Sequence, residues 1–277
     1  MTAPPILLRP MRAADLPAAH GLSMRLDWPH RLEDWRLFLE LGSGLVALDP
    51  SGALAGTAMF WSFGARATGI GMVIVAGTHQ RQGIGRRLMA AVQAGATTRG
   101  LMLNATEAGL GLYESLGFRA LGRIRQHQGV FAGAEPDPRV RAARRSDQPT
   151  LLALDRAAFG ADRRVVLDRL WGAAADCRLI ETDGRVSGFA MRREFGRGEI
   201  VGPLVAETEA DAMALVGSMA RPGFLRIDIP AAASAFGEWL TGLGLPAVDT
   251  VVAMTRGDWP FGEGPARRFG LASQALG

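Results

Sequence analysis

The stretch Ile70-Gly-Met-Val-Ile-Val75, followed by Gln80-Arg-Gln-Gly-Ile-Gly85, decides how the rest of the chain is interpreted. The first segment has the length and apolar character of a buried strand, and the second opens an amphipathic helix over residues 84–98. Glycines at such a turn let the backbone approach a ligand, and the first helical turn offers unpaired N–H groups to a phosphate. Three arginines surround this turn, namely Arg81, Arg86 and Arg87. The pattern fits a pyrophosphate cradle, and by itself it fits a tight strand–helix turn equally well.

Composition excludes several chemistries. The 277 residues include no lysine, one tyrosine (Tyr113), one asparagine (Asn104) and one cysteine (Cys177). The lack of lysine excludes a Schiff-base or pyridoxal-phosphate enzyme and a phosphate loop of the GK[ST] type. A single cysteine excludes an internal disulfide and zinc sites with several cysteines, and the four histidines lack metal-ligand spacing. We therefore expect no metal.

Charge and hydropathy narrow the partners. The net charge is only +4, and the pI of 10.6 follows from basic residues that are all arginine. No dense basic run with interleaved aromatic residues is present, so we expect no nucleic-acid partner. No apolar stretch reaches the length of a signal peptide or a membrane span, which predicts a cytoplasmic protein without a membrane partner.

Two halves of the chain resemble each other. Arg9, Asp15 and Pro17 match Arg141, Asp147 and Pro149 at an offset of 132, and the segments 54–59 and 186–191 match at the same offset. Leu-Gly-Phe at 116–118 matches Leu-Gly-Leu at 243–245 at an offset of 127. Three matches in the same order indicate a duplication, with five residues lost from the second copy.

The repeat predicts two α/β units. In the first copy we expect one strand, two helices, three strands, a helix, a strand, a short helix and a final pair of strands at 118–123 and 128–131. The second copy repeats this order. A proline-containing linker at 133–139 separates a first domain, residues 1–134, from a second domain with a tail, residues 135–277.

At this point the sequence resembles the GNAT superfamily of N-acetyltransferases. Gln80, Gly83 and Gly85 match the family signature Gln/Arg-x-x-Gly-x-Gly/Ala, and Leu112-Tyr-Glu-Ser-Leu-Gly-Phe118 matches a second family block. Segments around Trp28 and Asn104 resemble the two-domain bacterial subgroup. The resemblance implies tandem GNAT-like folds, each with a mixed, mostly antiparallel sheet flanked by helices.

The resemblance also implies a co-substrate, acetyl-CoA or another acyl-CoA. The strand before the glycines would pair with the pantetheine arm, backbone N–H groups of the loop would hold the pyrophosphate, and a backbone N–H near residues 72–74 would polarise the acyl carbonyl. The implied cofactor-binding residues are Val73, Ile74, Val75, Gln80, Arg81, Gln82, Gly83, Ile84, Gly85, Arg86, Thr106 and Tyr113. Thr106 stands where the family often has asparagine.

Tyr113 is the implied catalytic residue. In the family its hydroxyl lies near the CoA sulfur and can protonate the departing thiolate, although in some members the ring only packs under the cofactor. The general base remains open among Glu107, Asp27, Asp34, His127 and water. Residues that we expect to contact the acceptor are Trp28, Asp34, Asn104 and His127.

The second copy lacks this machinery. No glycine pair follows its strand at 199–205, and the acidic residues Glu207, Glu209 and Asp211 would repel a pyrophosphate. Leu240 stands where the first copy has Tyr113. We expect this copy to pack on the first and to form a wall of the acceptor pocket.

The sequence therefore predicts an acyl-CoA-dependent N-acyltransferase. It would transfer an acetyl group to an amine by direct attack, because Cys177 has no histidine partner for a covalent route. We expect the amine to be a small molecule rather than a protein. The alternatives are a catalytically silent CoA-binding sensor or interaction protein and, more remotely, a nucleic-acid binder. The acceptor and the oligomeric state are left open.

Overall fold

The first half of the chain alternates strands and helices in the predicted order. The computed structural model describes residues 6–96, 98–219 and 221–277. Within them the strands of the first half are β1 (Leu7–Pro10), β2 (Ser43–Leu48), β3 (Leu54–Phe63), β4 (Ala67–Val75), β5 (Gly100–Ala105) and β6 (Arg119–Phe131). Its α-helices are α1 (Leu16–Met24), α2 (Leu32–Leu41), α3 (Ile84–Gly95) and α4 (Leu110–Ser115). The helix predicted over 84–98 thus ends at Gly95, and Thr97, part of that prediction, lies outside the described residues.

The second half repeats this order and adds one strand. Its strands are β7 (Val140–Ala142), β8 (Asp176–Thr182), β9 (Arg185–Phe195), β10 (Gly198–Ala206), β11 (Gly223–Pro230) and β12 (Ala247–Arg256). Its α-helices are α5 (Gln148–Phe159), α6 (Arg164–Ala173), α7 (Glu209–Met219) and α8 (Ser234–Gly242). The additional strand β13 (Arg267–Gly270) lies in residues 257–277, called the tail below.

The sequence repeat at Arg9 and Arg141 has a physical basis in matching ion pairs. Arg9 donates two hydrogen bonds of 2.7 Å to the carboxylate of Asp15, and Arg141 donates bonds of 2.8 and 3.0 Å to Asp147. Each carboxylate also accepts from a backbone N–H at the start of the helical segment, that of Arg12 or Arg144, at 2.7 Å. Each half therefore fastens its first strand to its first helix in the same way.

The two halves share one sheet and exchange strands. The order is β1-β2-β3-β4-β5-β12-β6-β11-β10-β9-β8-β7, with β13 attached to β10. β4–β5 and β10–β11 pair in parallel, and the other pairs are antiparallel. Strand β12 of the second half lies beside β5 of the first, and β6 of the first half lies beside β11 of the second. Neither half completes its own sheet.

Strand β6 corrects one prediction. We expected strands at 118–123 and at 128–131, with residues 124–127 outside both. The structure has one strand of 13 residues, Arg119–Phe131. It pairs with β12 on one side and β11 on the other, so its backbone hydrogen bonds continue through residues 124–127.

Strands β4 and β5 separate halfway along their length. They pair from Ala67–Gly100 to Ile70–Leu103, and the pairing stops there. Just beyond, Met72 has a left-handed φ of 52°, and the register with β3 shifts between Thr57 and Met59. The Thr57 hydroxyl donates to the Met72 carbonyl at 2.8 Å and holds the bulge in place. On the side that faces β5, residues 73–75 of β4 therefore border an opening, while their other side still pairs with β3.

The second half has the same separation but fills it with the tail. β10 pairs with β11 only at residues 199 and 200, and its register with β9 shifts between Val201 and Leu204. Beyond this point β13 pairs with Leu204, Val205 and Ala206. Phe269 of β13 packs edge-on against Phe236 of α8, with ring centroids 6.4 Å apart. The tail thus occupies the cleft that corresponds to the opening beside β4.

Helices cover the sheet, and apolar side chains of both halves form a joint core. Trp35 and Trp61 are fully buried there, and their indole N–H groups donate to Ser23 and to the carbonyl of Phe38. Among the described residues, none of the helices has the length and hydropathy needed to cross a membrane.

Candidate active site

A groove of about 640 Å³ opens where β4 and β5 separate. It runs from the end of β4 past the loop before α3 to the helix α4. Most of its lining belongs to the predicted set, namely Val73, Ile74, Val75, Gln80, Arg81, Gly83, Ile84, Gly85, Arg86, Thr106 and Tyr113. Further lining residues are Leu26, Trp28, His79, Ala108, Gly109 and Leu112. The structure thus brings together residues that lie up to 87 positions apart, from Leu26 to Tyr113.

The loop before α3 has the backbone of an anion cradle. Arg81 and Gly83 both adopt left-handed φ angles, 61° and 77°, and α3 begins at Ile84. Left-handed residues in a turn aim successive N–H groups toward one point, and the first turn of a helix leaves N–H groups unpaired. A Cβ atom at Gly83 would meet no protein atom within 4 Å, so this side of the loop is open. This geometry suits an anion such as a phosphate group.

Side chains around the cradle divide between the groove and the protein. Arg81 and Arg86 line the groove, and Arg86 also donates to the Ser115 hydroxyl at 2.9 Å. Arg87 instead donates to the carbonyl of Ile6 at 2.8 Å. Gln82, a predicted cofactor residue, is not among the lining residues, and its amide donates to the carbonyl of Thr78 at 3.4 Å.

Tyr113 lies at the far end of the groove. Its ring is only 7% exposed and packs edge-on against Phe118, with centroids 6.0 Å apart. A Cβ at Gly109 would come within 2.8 Å of the Tyr113 ring, which explains a glycine at this position. Burial raises the pKa of Tyr113 to about 12, so the phenol keeps its proton throughout the neutral range.

A smaller cavity of about 300 Å³ adjoins the groove. Leu26, Trp28 and Thr106 line both, so the two spaces adjoin at these residues. Five of the polar residues that line the small cavity come from four adjacent strands, namely Asn104 of β5, Asp249 of β12, Gln126 and Gln128 of β6, and Arg226 of β11. Gln274 and Ala275 of the tail also line it.

Two of the four predicted acceptor residues line the small cavity. Trp28 does so directly. The amide of Asn104 also does, while donating to the carbonyl of Gln274 at 2.7 Å. Asp27, one of the candidate bases, lines the cavity too and has a left-handed φ of 56°. Glu107 is exposed and lines neither space.

The structure places the other two, Asp34 and His127, outside both spaces. Asp34 is buried and accepts hydrogen bonds from the backbone N–H of Arg31 at 2.8 Å and of Gly196 at 3.1 Å, so it anchors the start of α2. His127 is buried, and its Nδ1 atom lies 2.8 Å from the carbonyl oxygen of Leu245. Burial lowers the pKa of His127. Both side chains have structural partners.

The sequence reasoning missed the residues of the second half that line the small cavity. Arg226 and Asp228 stand two positions apart in the apolar strand Phe224-Leu-Arg-Ile-Asp-Ile229. Charged residues in such a strand are seldom buried without a role, and this alternation is the signal that could have found them. Asp249, Gln126 and Gln128 carry no comparable signal, because only the exchange of strands brings them to the cavity.

Comparisons with known proteins bear on this geometry. Two family models match the chain, both described as an acetyltransferase (GNAT) domain. One matches residues 30–132 and the other residues 151–267, so together they span more than half of the chain. The chain belongs to the GNAT superfamily of acetyltransferases. It is a tandem GNAT protein, as the internal repeat predicted.

Relatives and solved structures agree with a tandem GNAT fold. A protein of Bacillus subtilis described as an uncharacterized N-acetyltransferase, YitH, is 29% identical over 90% of this chain and 91% of its own length. A putative acetyltransferase from Pyrococcus horikoshii has a similar structure, with a TM-score of 0.79, 21% identity and coverage of 98% and 96%. A tandem GNAT protein from the clavulanic acid biosynthesis pathway gives a TM-score of 0.63, 12% identity and coverage of 91% and 98%. GNAT enzymes generally use acetyl-CoA.

Proposed function

We propose that this GNAT protein transfers an acetyl group from acetyl-CoA to a small amine by direct attack. One observation carries the proposal, namely that the groove with its anion cradle adjoins a second, polar cavity, with Leu26, Trp28 and Thr106 lining both. The groove suits the donor and the polar cavity suits the acceptor. Residues 1–134 would carry donor binding and catalysis, and residues 135–277 would complete the acceptor cavity.

The residues of the groove suit distinct parts of the donor. Residues 73–75 of β4, which pair with β3 but not with β5, would offer the backbone groups of their free side to the pantetheine arm. The N–H groups of residues 80–86 and the Arg81 side chain would hold the pyrophosphate. The bulge at Met72 turns the backbone at the point where the groove meets the small cavity, where an N–H group would polarise the acyl carbonyl.

The reaction needs an amine lone pair and a proton for the leaving group. The amine nitrogen attacks the thioester carbonyl carbon, a C–N bond forms, and the C–S bond breaks. Tyr113 would donate the proton that the departing thiolate takes, and the nitrogen would lose its proton to Asp27 or to water. Burial raises the pKa of Tyr113 to about 12, and the phenol is in its protonated form before each turnover.

A covalent route through the single cysteine finds no support. Cys177 is partly buried against core residues, and burial raises its pKa to about 12. The thiolate, which is the nucleophilic form, is therefore scarce at neutral pH. Cys177 is also absent from the lining of the groove and of the small cavity.

Thiol release from acetyl-CoA tests the proposal, with Tyr113→Phe as the decisive variant. We expect kcat to fall about 100-fold or more, as for the loss of a general acid, while the Kd of acetyl-CoA changes less than about threefold. An unchanged rate over the whole pH range would refute the role of Tyr113. Binding of acetyl-CoA without thiol release for any of a broad panel of amines would instead favour a CoA-binding sensor.

A further inference from the structure

The floor of the small cavity is built by both halves of the chain. Asn104, Asp249, Gln126 and Arg226 belong to β5, β12, β6 and β11, which are consecutive strands that come alternately from the first and the second half. The register pairs Asp249 with Gln126 and Gln126 with Asp228, so these side chains share one face of the sheet. Only the complete tandem protein therefore has this polar floor.

Arg226 is the buried cation of this floor. It is 4% exposed, and its Nε and Nη2 groups donate to the carboxylate of Asp228 at 3.0 and 2.9 Å. Its Nη1 group has no hydrogen-bond partner in the described part of the chain, and Arg226 lines the cavity. A guanidinium carries five N–H donors, so the donors that Asp228 leaves over are available to a ligand in the cavity.

A second buried guanidinium lies behind Arg226 and does not line the cavity. Arg193 is 1% exposed, and the ring of Phe195 lies 5.0 Å from its guanidinium and 5.5 Å from that of Arg226. Arg193 donates to the carbonyls of Ala272 and Glu194, and no carboxylate pairs with it in the described residues. Burial lowers the pKa of Arg193 to about 10, which still leaves it charged at neutral pH.

The other charged residues that line the cavity are acidic. Asp27 and Asp249 are both exposed. Asp27 stands between Leu26 and Trp28, the residues that also line the groove, so its carboxylate belongs to the side where donor and acceptor meet. His30 adds no charge to this balance, because burial lowers its pKa to about 3. Among the described residues that line the cavity, Arg226 is thus the arginine on the floor, Asp249 is a carboxylate on the same floor, and Asp27 is the carboxylate beside the groove.

We propose that the acceptor is a small primary amine that also carries a carboxylate, as a free amino acid does. The carboxylate would bind the free edge of Arg226, and the amino group would lie beside Asp27, next to the acyl group of the donor. This inference rests on the proposed function. A cavity of about 300 Å³ is at the small end for ligand sites and suits a single amino acid better than a protein segment.

Matched acceptors test the inference on the unaltered protein. The probes are L-phenylalanine, L-phenylalaninamide, phenethylamine and a tripeptide that begins with phenylalanine, each assayed by thiol release from acetyl-CoA. Because their amines differ in pKa, the comparison uses the pH-independent kcat/KM. We expect the amino acid to exceed the amide and the amine about 10- to 100-fold, the value of one or two hydrogen bonds to a charged group.

A paired substitution tests the residue itself. Arg226→Gln combined with Asp228→Asn removes both charges at nearly constant volume and leaves no buried charge unpaired. The preference for the carboxylate should fall below about threefold, while the Kd of acetyl-CoA stays the same. The control is Arg178→Gln with Asp176→Asn, a pair with the same spacing on β8 at 3.0 Å that lines neither space, and it should keep the preference. If the Arg226 variant fails to fold, the matched acceptors still decide.

The outcomes separate this inference from the proposed function. Equal use of all four probes, or a better rate with the tripeptide, would overturn the inference while the acetyltransferase activity stands. Acetyl-CoA binding on calorimetry without thiol release for any carboxylate-bearing amine would overturn it as well. Failure to bind acetyl-CoA at all would instead remove the proposed function.

Discussion

The two halves of the chain contain the same cleft in two states. Beside β4 the cleft is open, bordered by a bulge at Met72 and followed by the left-handed loop residues Arg81 and Gly83. Beside β10 the corresponding cleft holds β13 of the tail. Residues 207 and 208, which connect β10 to α7, include no glycine and no left-handed φ. The chain's own tail fills the gap between the parted strands in the second half, whereas the gap in the first half is open and is where we propose that acetyl-CoA binds.

The acidic residues after β10 show what replaces the anion site. Glu207 pairs with Arg185, Asp211 pairs with Arg139, and Glu209 accepts a hydrogen bond from the backbone N–H of Phe236 at 2.5 Å. In the first half the matching segment leaves N–H groups and arginines facing the groove. In the second half, the segment that corresponds to the proposed anion cradle is therefore engaged in structural contacts within the protein.

The largest effect should come from emptying the filled cleft. Phe269→Ala removes a buried ring that packs between β10 and α8, and we expect a loss of about 3 kcal/mol in the free energy of unfolding, measured with urea. The comparison variant in the open cleft is Val73→Ala. It should lower the free energy of unfolding by no more than about 1 kcal/mol, because one side of Val73 faces the groove. Equal losses in the two variants would contradict the difference between the clefts.

The next effect concerns the anion cradle. Gly83→Val forces a branched residue into a left-handed turn, and we expect acetyl-CoA to bind roughly 10- to 100-fold more weakly, by calorimetry. Gly184→Val is the control, since Gly184 also has a left-handed φ, 73°, and open space at its Cβ. Both variants should lose about 1–2 kcal/mol of stability, and only the first should lose affinity. A similar loss of affinity in both would remove the cradle from the account.

A smaller effect comes from the ionisation of Tyr113. Burial raises the pKa of Tyr113 to about 12 in the folded chain, against about 10 for an unperturbed phenol. Above pH 10 the unfolded chain loses this proton first, so stability is complete below pH 10 and declines up to pH 12. At pH 11 the loss should be about 1.4 kcal/mol.

The difference between the unfolding free energies of the native chain and of Tyr113→Phe, measured across this pH range, gives the contribution of Tyr113 ionisation to stability. Since the chain has no other tyrosine, ultraviolet difference spectra report this phenol alone. A native pKa near 10 would show that the ring is solvated rather than buried against Phe118.

Local patterns sufficed for the features that lie within one segment. The strand, loop and helix from Ile70 to Gly95 and the short helix with Tyr113 were predicted, because apolar spacing and glycines act over a few residues. The exchange of β6 and β12 was not, since it depends on pairing between residues more than 100 positions apart. Strand β13 was missed because four residues carry too little periodicity to stand out.

The acceptor side of the site divided in the same way. Trp28 and Asn104 belong to segments with a family pattern, and they line the small cavity. Arg226 and Asp249 reach that cavity only through the strand exchange, so no local rule placed them there. Asp34 and His127 have the chemistry expected of a base, but their hydrogen bonds hold a helix start and a loop. The type of a residue shows which chemistry it could perform, whereas its contacts in the tertiary fold determine whether it lies at the site.

The most direct test of the two-cleft account is the stoichiometry of acetyl-CoA binding measured by isothermal titration calorimetry. If only the cleft of the first half is open, one acetyl-CoA molecule binds per chain, and Gly83→Val strongly weakens this binding. Two molecules per chain, or one whose affinity is unaffected by Gly83→Val, would contradict the claim that the tail has closed the second cleft and left only the first to the donor.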